Sequence, residues 1–210
     1  MLSFVVVSLA GVAFHTIFSM KSDHGMLSGR NAGNIGMVML GDSLTFRTDW
    51  NRLLNRNDVK NCGINGDTTR DILRRMDTII RLKPEYCFAM AGINDISLGI
   101  PVREIFHNYT LIIGKLMDNG IRPVIQSTLF VTGILIESEV INGQVRRLNQ
   151  KLKEFAVRNA IPFIDLNQTM SDEQGLLSEY AVDGIHLSQK GYLAWSRILN
   201  LFFRKLDTKQ

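Results

Sequence analysis

A chain of 210 residues that is 45% hydrophobic and 21% charged is not a disordered polypeptide, and it is long enough to bury one full core. Its 24 Lys and Arg against 20 Asp and Glu leave a net charge of +4. The basic residues are scattered among the acids rather than gathered in a stripe, which excludes a nucleic-acid-binding surface.

Residues 2–20 are apolar, and no Asp, Glu, Lys or Arg falls before Lys21. As a helix this run would reach about 28 Å, close to a bilayer core. It reads as a membrane anchor. A cleaved signal peptide, giving a secreted or periplasmic protein, fits less well, because there is no basic start and no A-x-A site near its end. A core helix is the third reading. Lys21 and Arg30 follow the segment and nothing basic precedes it; two charges partly offset by Asp23 do not fix the side of the membrane. Residues 21–35 are rich in Gly, Ser and Asn and read as a linker. The folded domain is expected over 36–210.

From there strands and helices alternate. Strands are expected at 36–41, 58–63, 85–91, 121–128 and 161–166. A short helical piece is expected at 50–55 and longer helices at 69–82, 102–119, 144–159 and 187–206. The helix at 102–119 shows the pattern best: Ile105, Phe106, Tyr109, Ile112, Ile113 and Leu116 recur at helical spacing. Strands separated by helices give a parallel sheet covered on both faces, because right-handed crossovers pack helices on it. The fold class is therefore α/β, a three-layer α/β/α sandwich on five parallel strands. The longer loops 130–143 and 167–184 leave carboxyl ends of strands, where open α/β sheets place their ligands. The two cysteines, Cys62 and Cys87, lie in predicted strands and read as small buried residues; no CxxC pair or His cluster marks a metal site.

Four polar clusters fall at that same end of the sheet. Ser43 follows the first strand, Gly63 to Thr69 the second, and Gly92-Ile93-Asn94-Asp95 the third; Asp183-Gly184-Ile185-His186 precedes the last helix. Together they suit acyl transfer. A serine hydroxyl is a poor nucleophile unless a base takes its proton, and imidazole titrates near neutral pH, which makes His186 the candidate base. A tight turn through Gly184 could bring the Asp183 carboxylate back to that ring. The backbone N–H groups of Ser43 and Gly66 and the amide of Asn94 could serve a developing oxyanion.

In this order and spacing, Gly41-Asp42-Ser43-Leu44, Gly63 to Thr69, Gly92 to Asp95 and Asp183 to His186 resemble the four blocks of the SGNH hydrolases, also called the GDSL lipase/esterase family. The resemblance covers about 36–206. It implies Ser43 as nucleophile, Asp183 and His186 as its partners, Gly66 and Asn94 as further oxyanion donors, and no metal or cofactor. The Gly-Asp-Thr-Thr run at 66–69 and Gln126-Ser127-Thr128-Leu129 resemble the platelet-activating-factor acetylhydrolase-like and carbohydrate acetylesterase-like branch. Ile93 departs from the small or polar residue that many members carry. Thr45 stands where a G-x-S-x-G elbow would need its second glycine, and no HGGG segment occurs, which argues against an ordinary α/β-hydrolase.

The expected activity is hydrolysis of a short acyl ester, acetyl foremost, of a carbohydrate or lipid alcohol. A lysophospholipase or thioesterase for longer chains is the alternative, and an inactive binding module on the same scaffold is the reading from another class. Leu44, Thr45, Phe130, Val131, Ile134 and Leu187 are candidates for the substrate pocket. Asp42 and Asp95 read as structural, bonding nearby N–H groups. His15, His24 and His107 read as bystanders. Asn108-Tyr109-Thr110 and Asn167-Gln168-Thr169 fit the glycosylation pattern, the first by chance in mid-helix.

Overall fold

The computed structural model describes residues 35–207, with side chains through Arg204. The apolar segment 1–20 and all but the last residue of the linker lie outside the described residues. Among the described residues, no helix is long and apolar enough to cross a membrane.

Five parallel strands form one sheet in the order β2-β1-β3-β4-β5. They are β1 Met37–Gly41, β2 Val59–Gly63, β3 Tyr86–Met90, β4 Arg122–Gln126 and β5 Phe163–Ile164. The interior strands read as continuous apolar runs because both their faces are covered. Val38, Met39, Leu40, Phe88, Val124 and Ile125 are all fully buried.

The helices are α1 Ser43–Phe46, α2 Trp50–Leu54, α3 Thr69–Arg74, α4 Met76–Arg81, α5 Ile93–Ser97, α6 Val102–Asp118, α7 Ser138–Arg158, α8 Asn167–Met170 and α9 Gln189–Asp207. α6 packs on α3 and α7, and α9 packs on α2 and α8. Between β1 and β3 the strand order reverses. Chain segments leaving these two strands diverge to opposite sides, and the crevice so opened is where such sheets bind ligands. Gly41, Gly63 and Met90 stand level across β1, β2 and β3, so the segments that follow them emerge side by side.

The short helices α1, α5 and α8 stand where no helix was expected, and four expected elements differ from the sequence reading. The helix expected at 69–82 is broken at Arg75. α7 starts at Ser138 rather than Gln144; its first turns expose Glu139 and Val140, and the residue they bury is polar. That residue, Asn142, accepts from the Val131 N–H and donates to the Val131 carbonyl, each at 2.9 Å, so its amide replaces an apolar contact. β5 has two residues because Leu166 N–H turns to the Ser127 hydroxyl at 2.9 Å instead of continuing the ladder. α9 starts after Ser188, whose hydroxyl accepts from Gly191 N–H at 3.2 Å, while Leu187 bridges back to Ala181.

Candidate active site

Ser43 is the first residue of the one-turn helix α1, directly beyond the end of β1. Asp42 caps that helix: its Oδ1 accepts from Leu44 N–H at 3.0 Å. The turn presents the Ser43 side chain toward the loop before α9, and the residue is 6% exposed. Its Oγ lies 3.1 Å from His186 Nε2. On the far side of the ring, His186 Nδ1 lies 2.7 Å from Asp183 Oδ2. A carboxylate only accepts, so Nδ1 carries the proton and Nε2 is left to accept from the serine hydroxyl.

The Asp183 turn is built locally. Gly184 takes φ +88°, and a Cβ there would meet Leu135 Cγ at 2.7 Å. This turn lets Asp183 Oδ1 accept from the backbone N–H groups of Ile185 at 3.1 Å and His186 at 2.8 Å. Burial alone would raise the Asp183 carboxyl. The His186 backbone N–H, the His186 ring and the Ile185 N–H outweigh it and hold the group below the ordinary carboxylate range. The loop is held from outside by Thr132 N–H to the Gly184 carbonyl at 2.9 Å and closed on itself by Val182 N–H to the His186 carbonyl at 2.8 Å.

The second cluster forms a turn in which Asp67 N–H bonds the Ile64 carbonyl at 3.2 Å and Gly66 takes φ +79°. Asn94 lies on α5, almost buried, and its Nδ2 donates to the Asp67 carbonyl at 3.0 Å. That bond uses one of the two amide hydrogens. Ser43 N–H opens a helix and has no carbonyl one turn behind it to bond. The Ser43 N–H, the Gly66 turn and the Asn94 amide thus stand on adjoining segments.

Asp95 buries its carboxylate against the start of α3, accepting from Thr69 N–H at 2.9 Å and Thr69 Oγ1 at 2.6 Å. Asn108 Nδ2 donates to that same hydroxyl at 3.0 Å, so this asparagine is engaged in the interior. Asn167 is buried too, donating to the Thr128 carbonyl at 2.8 Å. Thr68 caps α3 in a reciprocal box with Asp71.

Of the pocket candidates, Leu44, Thr45 and Val131 are fully buried and Leu187 nearly so, and they offer almost no surface to a ligand. Phe130 is half-buried beneath the Arg146 guanidinium, 5.0 Å from its ring centre, and Ile134 is 76% exposed. The Thr69–Asp95 contact accords with the structural reading of Asp95, whereas Arg75, which bonds Asp67 and the Gly41 carbonyl beside these clusters, was not anticipated. Among the described residues no group of three or more His, Cys, Asp or Glu is placed to hold a metal. Cys62 and Cys87 are free thiols, and burial pushes both above the ordinary thiol range.

Asp42 is fully buried and its Oδ2 makes no hydrogen bond. Burial pushes its carboxyl up to about 7 against the opposing Leu44 N–H, with the charges of Asp95 and Asp67 adding to the rise. Between about pH 4 and 7 the folded chain therefore keeps a proton there that the unfolded chain has lost, so this group's contribution to stability falls as pH rises through that window. Asp42→Asn is expected to gain on the native chain by on the order of 2 kcal/mol between pH 4.5 and pH 8. Urea unfolding at both values checks this; a constant difference would refute it.

Residues 39–194 match the GDSL-like lipase/acylhydrolase family, and the chain belongs to it. It is 28% identical over 170 residues to an N-acylneuraminate cytidylyltransferase of Streptococcus agalactiae serotype V, covering 81% of this chain but 38% of that protein. A GDSL-like lipase from Bacteroides thetaiotaomicron is similar in fold, with a TM-score of 0.74 and 22% identity over 86% of this chain and 93% of that one. An acetyl-xylooligosaccharide esterase from Geobacillus gives a TM-score of 0.67 and 19% identity over 80% and 94%.

Proposed function

We propose that this acylhydrolase-family chain is a serine esterase that removes a short acyl group, acetyl foremost, from a carbohydrate or lipid alcohol through an acyl-Ser43 intermediate. The observation that carries the reading is the unbroken chain of contacts from Ser43 Oγ through His186 to Asp183. In this mechanism His186 Nε2 takes the hydroxyl proton as Ser43 Oγ attacks the ester carbonyl. The carbonyl oxygen gains charge and is received by the N–H groups of Ser43 and Gly66 and the second amide hydrogen of Asn94. The intermediate collapses, the C–O bond to the alcohol breaks, and His186 returns its proton to the departing oxygen. Water, deprotonated by the same imidazole, then cleaves the acyl-serine ester. Asp183 holds the ring in the required tautomer and stabilises its charge.

The filled interior at Leu44, Thr45 and Val131 supports a small acyl group. A carbohydrate alcohol is supported by two of the similar proteins, one an esterase for an acetylated oligosaccharide and the other an enzyme for an N-acylneuraminate. The apolar segment 2–20 supports attachment to a membrane. A second reading, a thioesterase or lysophospholipase, is favoured by the exposed Ile134, Ile136 and Val182 on the loops that carry and brace His186. An inactive binding module has less support, since every group the chemistry needs is present.

Hydrolysis of p-nitrophenyl esters from acetyl to palmitoyl by the full chain tests this reading. The rate is expected to peak at acetyl and to have fallen at least roughly tenfold by octanoyl, as a closed acyl pocket discriminates by a few kcal/mol. A peak at eight carbons or longer would replace it with the second reading, and no turnover at any length would overturn the esterase.

A further inference from the structure

We propose that Arg75 is a positioning residue for the oxyanion site. The inference rests on the serine-esterase reading above and goes beyond the residues that reading uses. The Arg75 guanidinium donates from Nε to Asp67 Oδ2 at 2.7 Å and from Nη2 to the Gly41 carbonyl at 3.1 Å. Both side chains are largely shielded, at 18% and 12% exposure, so the pair is screened less than a surface ion pair.

What matters is where the two acceptors lie. Gly41 ends β1 and stands two residues before Ser43; its carbonyl also accepts from Ile64 N–H at 3.1 Å, which ties β1 to the Gly66 turn. Asp67 directly follows Gly66, and its own carbonyl anchors the Asn94 amide. One planar guanidinium therefore joins the segment carrying Ser43 N–H, the turn carrying Gly66 N–H and, through one further bond, the side chain of Asn94. These are the three proposed donors, and none touches Arg75 directly. Their spacing must match the position of an oxygen that exists only transiently, so a small shift in any of them costs rate rather than binding.

The break in the helix at Arg75 fits the same role. Ile72, Leu73, Met76, Ile79 and Ile80 would continue one helix from 69 to 82, yet Arg75 leaves helical geometry at φ −103°, ψ 11°. It ends α3 and begins α4 with no side-chain cap bond for α4. Its side chain is spent on Gly41 and Asp67. Only arginine presents two N–H groups in a fixed fork; lysine keeps the charge on a single flexible point and cannot hold both acceptors in register.

The test is steady-state kinetics of the full chain on p-nitrophenyl acetate. Arg75→Met is expected to lower kcat by about 10- to 100-fold with KM within about threefold, and Arg75→Lys to fall between it and the native chain. If Arg75 acts through the oxyanion donors, its loss must matter less where Asn94 is already gone. In an Asn94→Ala background Arg75→Met should then cost no more than about threefold further. An equal loss in both backgrounds, or a lowered melting temperature with kcat unchanged, would overturn the proposal. Should Arg75→Met not fold, Arg75→Lys carries the same comparison. Activity surviving in Ser43→Ala would instead show that the parent reading had failed; an inactive Ser43→Ala beside uncoupled Arg75 variants would overturn the Arg75 role alone.

Discussion

Ser43→Ala is expected to lower kcat/KM by about four to six orders of magnitude while leaving the fold intact, the range seen when a nucleophile of this kind is removed. The two halves of that expectation have different causes. The hydroxyl makes one side-chain contact, to His186 Nε2. Its loss leaves that nitrogen without a partner but opens no cavity larger than an oxygen atom. The capping bond of α1 comes from Asp42, so the turn survives. Chemistry fails because no other hydroxyl is held against the imidazole. The check is hydrolysis of p-nitrophenyl acetate with circular dichroism of the same sample, joined to labelling by a fluorophosphonate. Residual activity above about 1% in a folded variant, or labelling that persists, would remove Ser43 from the nucleophile's role.

Trp195→Ala is expected to destabilise the fold by about 4–5 kcal/mol, a large share of the total for a domain of this size. Trp195 is fully buried under α9. Its ring meets Trp50 edge-on at 4.8 Å between centres and stacks on Tyr192 at 6.4 Å. Its Nε1 donates to Gln126 Oε1 at 2.7 Å. Truncation would remove the ring and also strip the last hydrogen bond from a buried amide whose Nε2 already has no partner. Trp195→Phe separates the two effects: the ring stays, the donor is lost, and the expected cost is about 1–3 kcal/mol. Urea unfolding of both variants measures them. A loss under about 2 kcal/mol for the alanine variant would show that the layer between α2 and α9 closes over the gap.

The alternation of strands and helices is legible in the sequence because interior parallel strands need apolar residues on both faces. Val38 to Leu40, Phe88 and Val124–Ile125 carry that demand openly. The candidate site was legible for a related reason. A strand that ends in Gly41, Gly63 or Ala91-Gly92 announces a turn, and the polar residue beyond it has only the sheet edge to occupy. The hidden features are those whose cause lies far away in sequence. Periodicity runs through Arg75 unbroken, so nothing local shows that its side chain reaches back to Gly41. Asn142 reads as a polar residue in a loop because its partner, the Val131 backbone, is visible only in the fold. The burial of Leu44, Thr45 and Val131 was hidden likewise: their types suit a pocket wall or the core, and only packing shows how little of each is exposed.

The place of β1 in the sheet has a consequence for how the protein loses activity. β1 is hydrogen-bonded on both edges, so the residue it delivers is among the last to be released by local opening. His186 comes from the chain that follows β5, a strand of two residues at the rim. Ser43 and His186, proposed above as nucleophile and base, are thus placed by very different parts of the fold, one by an interior strand and the other by a loop. Opening of that loop would separate the two while the interior strands stay paired, so loss of activity and melting are expected to be separable events.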